Sequence, residues 1–317
     1  MSASSVGLGH NQHMLACPVC QQPLTQQQRQ FVCEANHSFD LAKQGYLNLL
    51  LVNQKRSKTP GDSADMIQAR QRFLDQGYYQ PIAEQLNQSV LSALSGKPPE
   101  NGWQLADVGC GDGYYSTRLS QALALRQEHR QEQKHQLYGV DISKDALKAA
   151  CKRTRSASTS TSTTENNIQW LVASGRRLPM LPHSLDAIVS LFTPVTPEGW
   201  HQTLKPGGKL ILATTGQDHL LELRQKIYPD VSTRVFDPRP ELENHHFRAL
   251  EEPTRLQASA TIQASDLPDL LTMTPHGWRS SPTTHEALFA LPQLTVTLDV
   301  NFWLFEATGA ASAESAP

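Results

Sequence analysis

The chain has 317 residues and a formal net charge of −2, so a nucleic-acid partner would have to be met by a local basic patch, not a global field. At ~150 residues per domain the length suggests two domains. No run of about 18 apolar residues is present, which argues against a membrane-spanning helix. The N-terminus lacks a charged-then-apolar signal pattern, so the expected location is cytoplasmic. Five cysteines, an odd number, argue against a disulfide framework.

Residues 1–13 are small and polar and read as a disordered leader, with Met14 as an alternative start. Residues 14–50 read as a short zinc-binding module. Within it, Cys17-Pro18-Val19-Cys20, Cys33 and His37 give the spacing C-x2-C-x12-C-x3-H. Thiolates two residues apart can share one tetrahedral metal through a tight turn, and the second pair closes the shell. Four protein ligands predict a structural Zn2+ with no open position for catalytic water. A redox C-x-x-C is the rival reading, but it leaves Cys33 and His37 unexplained.

Residues 51–100 read as a basic linker and a helical segment. Lys55, Arg56 and Lys58 precede a Pro60-Gly61-Asp62 turn. Ser63 is the predicted N-cap of a helix whose apolar stripe runs through Ile67, Phe73, Leu74, Tyr78, Ile82 and Leu86, interrupted at Gly77. Pro98-Pro99 closes the segment.

Residues 101–306 read as the catalytic domain. Strand patterns at 104–109, 136–141, 168–172, 185–191 and 208–214 alternate with helical ones, notably 114–124 and 144–153, which predicts a parallel, doubly wound α/β sheet. The polar stretch 126–135 extends a helix or forms a loop, and the Ser/Thr-rich stretch 155–166 reads as a mobile surface insertion. A helix at 217–227 and a strand at 294–305 are expected later, and 307–317 reads as a frayed tail.

The string Asp107-Val108-Gly109-Cys110-Gly111-Asp112-Gly113 follows the first of these strands and opens a helix. Its glycines permit a sharp turn and close approach of a ligand. Asp107 can organise the loop or meet a ligand ammonium, and Asp141, ending the next strand, can accept ribose hydroxyls. Taken alone the loop is compatible with a structural turn, a dinucleotide site or a methyl-donor site, although a dinucleotide fold favours G-x-G-x-x-G over the G-x-G-x-G seen here.

The loop resembles the first motif of class I methyltransferases, and Leu204-Lys205-Pro206-Gly207-Gly208-Lys209-Leu210 resembles that fold's turn before its fifth strand. Ser38–Tyr46, the Pro60-Gly61-Asp62-Ser63 turn and Met273-Thr274-Pro275-His276-Gly277-Trp278, joined to the cysteine–histidine knuckle, are similar to the bacterial 23S rRNA (guanine-N1)-methyltransferases from about Cys17 to about Leu304. The resemblance implies a class I (Rossmann-like) domain with a mixed, mostly parallel seven-stranded sheet. It implies S-adenosylmethionine as cofactor, a 23S rRNA hairpin or ribosome precursor as partner, and a homodimer. It also implies that Cys17, Cys20, Cys33 and His37 hold zinc, and that Tyr79, Asp107, Gly109, Gly111, Asp112, Gly113, Asp141 and His219 contact the cofactor.

Methylation of guanine N1 requires an unpaired or flipped base and loss of the N1 proton. Phe192, in Ser190-Leu191-Phe192-Thr193-Pro194 after the fourth strand, can stack on such a base, but it also fits an ordinary core loop. Lys43, Lys55, Arg56, Lys58, Arg70 and Arg72 are candidate phosphate contacts and Tyr46 a candidate stacking surface. No general base stands out; Glu198 and Asp186 stay unassigned. Two rivals remain: a methyltransferase acting on another RNA or a small molecule, and a non-catalytic RNA-binding module with a vestigial cofactor fold.

Overall fold

The computed structural model describes residues 14–309 except 56, 58–59, 97, 128–134, 159–166, 232–233 and 278–279. The expected leader 1–13, Arg56, Lys58, Trp278, the tail 310–317 and most of the two polar stretches lie outside the described residues.

The chain begins with β1 (Thr25–Gln27), β2 (Gln30–Val32) and β3 (Ser38–Asp40), a small antiparallel sheet. Next come β4 (Tyr46–Asn48), α1 (Ala64–Asp75) and α2 (Gln80–Ala93). The Ser63 side chain caps α1 by accepting from the Met66 N–H. Gly77, in the left-handed conformation that ends helices (φ 85), separates α1 from α2.

Alternation follows: β5 (Gln104–Val108), α3 (Tyr114–Gln127), β6 (Gln136–Asp141), α4 (Lys144–Ser158), β7 (Ile168–Val172), β8 (Leu185–Leu191), α5 (Pro197–Thr203) and β9 (Leu204–Thr215). The last part contains α6 (Leu221–Ile227), α7 (Arg239–Glu243), β10 (Phe247–Ala249), β11 (Thr254–Gln263), α8 (Leu267–Thr272), α9 (Pro282–Phe289) and β12 (Gln293–Ala307). The Ser/Thr-rich stretch is partly helical, since α4 runs through 155–158, and Ala307 is a buried strand end instead of frayed tail.

Among the described residues the main sheet is mixed and has nine strands, two more than expected: β10-β12-β9-β8-β5-β6-β7-β4, with β11 also on β12. β4 through β9 pair in parallel, and β12 runs antiparallel to β9, β10 and β11. β4 is one unexpected addition: this short strand, late in the N-terminal module, extends the sheet beside β7.

β5 and β8 are buried on both faces, which is why they read as continuous apolar runs. Leu105, Ala187 and Val189 face a core with Ile82, Leu86, Leu119 and Leu123 from α2 and α3. Ala106, Val108 and Ile188 face the opposite core, with Trp200 of α5 and Leu15, Phe31 and Leu47 of the N-terminal segment. The N-terminal module therefore shares its core with one face of the sheet. Backbone bonds reinforce this: the Ala16 N–H donates to the Pro179 carbonyl (3.0 Å) and the Leu181 N–H to the Met14 carbonyl (2.8 Å).

Candidate active site and metal centre

Two tight turns build the metal centre. At the first, the Cys17 N–H donates to the Gln22 carbonyl (2.8 Å) and the Gln21 N–H to the Cys17 carbonyl (2.8 Å); at the second, the Asn36 N–H donates to the Cys33 carbonyl (2.9 Å) and the Cys33 N–H to the His37 carbonyl (3.2 Å). Gln21 and Asn36 take the left-handed conformation that lets each turn close (φ 63 and 62). The turns bring Cys17, Cys20, Cys33 and His37 together, with all four donor atoms within 4.8 Å of one another. His37 Nδ1 lies 3.6 Å from Cys17 Sγ and 3.4 Å from Cys33 Sγ, and Cys20 Sγ lies 3.6 Å from Cys33 Sγ. A tetrahedral zinc with Zn–S near ~2.3 Å has ligand edges of about 3.8 Å, so this donor set fits Zn2+ after slight expansion. Burial opposes ionisation of Cys33, but hydrogen bonds from His37, Cys20 and Ala35 draw its thiol down to about 7, toward the ligating thiolate.

The glycine loop lies where the strand order reverses, between β5 and its neighbours β6 and β8, at the carboxyl edge where ligands sit in such sheets. Gly109 and Cys110 donate to the Val140 carbonyl at 2.8 and 3.1 Å, folding the loop across the end of β6. A Cβ at Gly109 would lie 2.1 Å from Thr193 Cγ2, and one at Gly113 would lie 2.7 Å from Trp170 Cη2; both residues have positive φ. Glycine is therefore required at both by sterics and conformation.

The Asp141 carboxylate spans the loop, accepting from the Gly111 N–H (3.0 Å) and the Ser143 N–H (2.8 Å). Each oxygen keeps a further lone pair, the capacity a ribose diol requires. Asp107 is buried and accepts from Ser116 Oγ (2.5 Å); burial pushes its carboxyl up to about 7.

Three distant segments line the same edge with rings. His219 stacks on Phe192 (centroids 5.9 Å, 28°) and meets Tyr79 edge-on (6.1 Å, 67°). Phe192 has φ 54 and is 41% exposed, so it is a presented ring and not a core one. Burial holds His219 down to about 4, and its Nδ1 accepts the Asp299 N–H at 3.3 Å. The ring is thus neutral at physiological pH and carries its hydrogen on Nε2.

Comparison with known proteins agrees with both halves of this geometry. A zinc-ribbon family described as RlmA, N-terminal, matches residues 15–58, and a family described as Methyltransferase domain matches residues 105–208. The 23S rRNA (guanine(748)-N(1))-methyltransferase of Streptomyces fradiae is 30% identical over 294 residues, covering 91% of this chain and 95% of the relative. The chain belongs to the 23S rRNA (guanine-N1)-methyltransferase family. YxjB of Bacillus subtilis, provisionally designated a 23S rRNA (guanine-N1)-methyltransferase, is 27% identical over 299 residues, covering 91% of this chain and 95% of the relative. A similarly designated protein of Micromonospora griseorubida is 28% identical over 309 residues, covering 90% and 93%.

In this family member the structure places several sequence-predicted residues differently. The Asp112 carboxylate pairs with Arg153 Nη2 (2.5 Å), an ion pair that braces the loop. Arg70, expected to meet phosphate, instead pairs with Asp62 (2.5 Å), donates to the Met273 carbonyl (3.3 Å) and lies 3.6 Å from where a Gly111 Cβ would sit. Gly61 packs against Ser143, so the Pro60-Gly61-Asp62 turn and Arg70 flank the cofactor loop. A signal existed: Arg70 interrupts the buried stripe between Ile67 and Leu74, where a cation needs a partner. Arg72 is bidentate to Asp269, and Tyr46 is half-buried in β4 opposite Trp170. Lys43 is exposed and Lys55 half-buried. Asp186 lies at the start of β8, away from the site, accepting from the Gln104 N–H (2.8 Å) and pairing with Lys205 (2.6 Å). Glu198 is exposed on the first turn of α5.

Proposed function

We propose that the chain methylates N1 of a guanine in a 23S rRNA hairpin, using Tyr79, Asp107, Gly109, Gly111, Asp112, Gly113, Asp141 and His219 to hold S-adenosylmethionine. Residues 14–50 act as the structural zinc module and 101–306 as the catalytic domain, joined by 51–100. Family membership supplies the reaction and the substrate class. Among the described residues no helix is long and apolar enough to cross a membrane, and an rRNA substrate supports work in the cytoplasm.

The observation that carries the acceptor side is Phe192. Its exposed ring stands at the carboxyl edge of β8, stacked on His219 and adjoining Thr193, which contacts the glycine loop. A purine that stacks on Phe192 exchanges exposed apolar area for aromatic contact.

When bound, S-adenosylmethionine supplies an electrophilic methyl group on a sulfonium. Asp141 orients the cofactor's hydroxyls while its backbone bonds keep the glycine loop in place, so little reorganisation is needed on binding. Phe192 orients the base. His219 offers an Nε2–H, a donor, so it steadies a lone pair of cofactor or base and does not take the N1 proton.

Mapping methylated guanines in 23S rRNA from cells lacking the protein tests this reading. A single missing guanine-N1 methyl, restored by the purified enzyme, is expected; an unchanged methylation map would overturn it.

A further inference from the structure

We propose that a groove between α1, α3 and α4, on the outer side of the glycine loop, binds the phosphate backbone of the RNA substrate; this rests on the RNA reading above. The groove encloses about 650 Å³. Each helix turns a polar ridge into it. Gln68 and Arg72 stand one turn apart on α1, Thr117 and Arg118 lie on α3, and Lys152 and Arg153 lie on α4. Among the described residues, no apolar side chain lines it and Asp75 is its one acid.

The charges do not cancel. Asp75 is taken by Arg153 (2.5 Å), which also grips Asp112. Arg72 is neutralised by Asp269 (2.6 Å). Arg118 and Lys152 remain. The Arg118 guanidinium lies 3.7 Å above the Tyr114 ring, which holds it in place, and Lys152 is exposed; neither meets a carboxylate among the described residues. Thr117 also lines the groove, and its hydroxyl is buried and has no hydrogen-bond partner among the described residues. A buried orphan hydroxyl costs free energy that an incoming acceptor recovers.

Two uncompensated cations, one orphan donor and flanking glutamine amides form a receptor for phosphate oxygens in a chain with a net charge of −2. The groove adjoins the site through Arg153, which donates to both the carboxylate and the carbonyl of Asp112. RNA seated there therefore runs beside the cofactor loop. Of the basic residues at 43–72 that the sequence suggested, only Arg72 lines this groove among the described residues.

The test is binding and methylation of a 23S rRNA hairpin transcript by zinc-loaded full-length enzyme across a salt series. Arg118→Gln/Lys152→Gln is expected to weaken RNA binding roughly 10-fold. It should also lower the salt slope by about two, one for each phosphate that is no longer neutralised. Cofactor affinity and the rate at saturating RNA should not change. Lys152→Glu alone, at an exposed position, should shift binding in the same direction and guards against a stability effect at Arg118. Unchanged affinity and slope in both variants would overturn the groove while leaving the RNA reading intact. Tight binding of inorganic phosphate by the wild type, with RNA affinity unaltered in the variants, would make it a small-anion site and also overturn the proposal. A wild type that neither binds nor methylates the transcript would overturn the RNA reading itself, and the groove with it.

Discussion

The zinc ribbon and the cofactor cradle are both made of tight turns, yet they are held by different means. The ribbon draws its four ligands from 21 consecutive positions, Cys17 to His37, and a metal ties them. The proposed cradle gathers Tyr79, the glycine loop, Asp141 and His219 from across the chain, with Arg70 and Phe192 beside them, and among the described residues no single contact holds it. Gly111 hangs on Asp141, Asp112 on Arg153, Gly109 on the Val140 carbonyl and His219 on Asp299. A locally encoded site can form as a unit with its metal. A dispersed site exists only once the sheet has formed. The two still meet in one core, where Leu15, Phe31 and Leu47 pack with Ala106 and Tyr138.

The largest expected effect tests that shared core. Structural zinc in small ribbons contributes apparent binding energies of about 10–16 kcal/mol, comparable with a whole domain's stability of about 5–15 kcal/mol. Stripping zinc with a chelator should therefore lower the thermal midpoint of the entire enzyme and abolish methylation. An unchanged catalytic-domain midpoint would make the ribbon an appendage and break the comparison.

Next comes Gly109→Ala, which puts a methyl 2.1 Å from Thr193 Cγ2 at a φ of +77. A cost of about 2–4 kcal/mol is expected from overpacking and backbone strain together. Calorimetry should show cofactor affinity reduced by at least roughly 10-fold, a factor that corresponds to about 1.4 kcal/mol. Affinity within about twofold of wild type would mean that the loop adapts freely.

The cradle should also carry a pH signature through His219. Burial holds its folded-state pKa at about 4, below the unfolded value of about 6.5. Above that unfolded value the ring is neutral in both states and costs nothing. As pH falls from about 6.5 to about 4, the unfolded chain gains a proton that the folded ring refuses, so stability declines. The loss approaches ~3 kcal/mol near pH 4. Asp107, shifted upward, acts with the opposite sign across this range, so the informative quantity is wild type minus His219→Gln, in which the Asp107 contribution cancels. A difference independent of pH would show that the ring is not buried in solution.

The smallest effect separates acceptor from cofactor. Phe192→Ala should lose about 1–3 kcal/mol of base stacking, seen as a raised KM for the RNA hairpin. Cofactor affinity should change little. An unaltered KM would return Phe192 to an ordinary loop residue.

Much of the candidate site was legible because its signals are short-range. The C-x2-C-x12-C-x3-H spacing, the G-x-G-x-G loop after an apolar run and the Ser63 cap are each written in one short stretch of chain. The roles of single charges were less legible. Asp112 and Arg70 lie inside or beside recognisable motifs, but their partners, Arg153 and Asp62, depend on how α4 and the 60–63 turn dock. The sheet's extra strands were hidden for the same reason. β4 and β10 are three residues each, too short to show alternation, and they exist as strands only because β7 and β12 offer free edges.

By itself, then, the sequence determined the order of the principal strands and helices, the metal ligand set and the location of the cofactor loop, since each is a property of residue type and local spacing. The tertiary structure decided which rings meet at the carboxyl edge of the sheet, which charges pair with one another, and that the ribbon and the sheet share a core. Those outcomes turn on contacts between segments far apart in the chain, where the free energy of docking selects the partner.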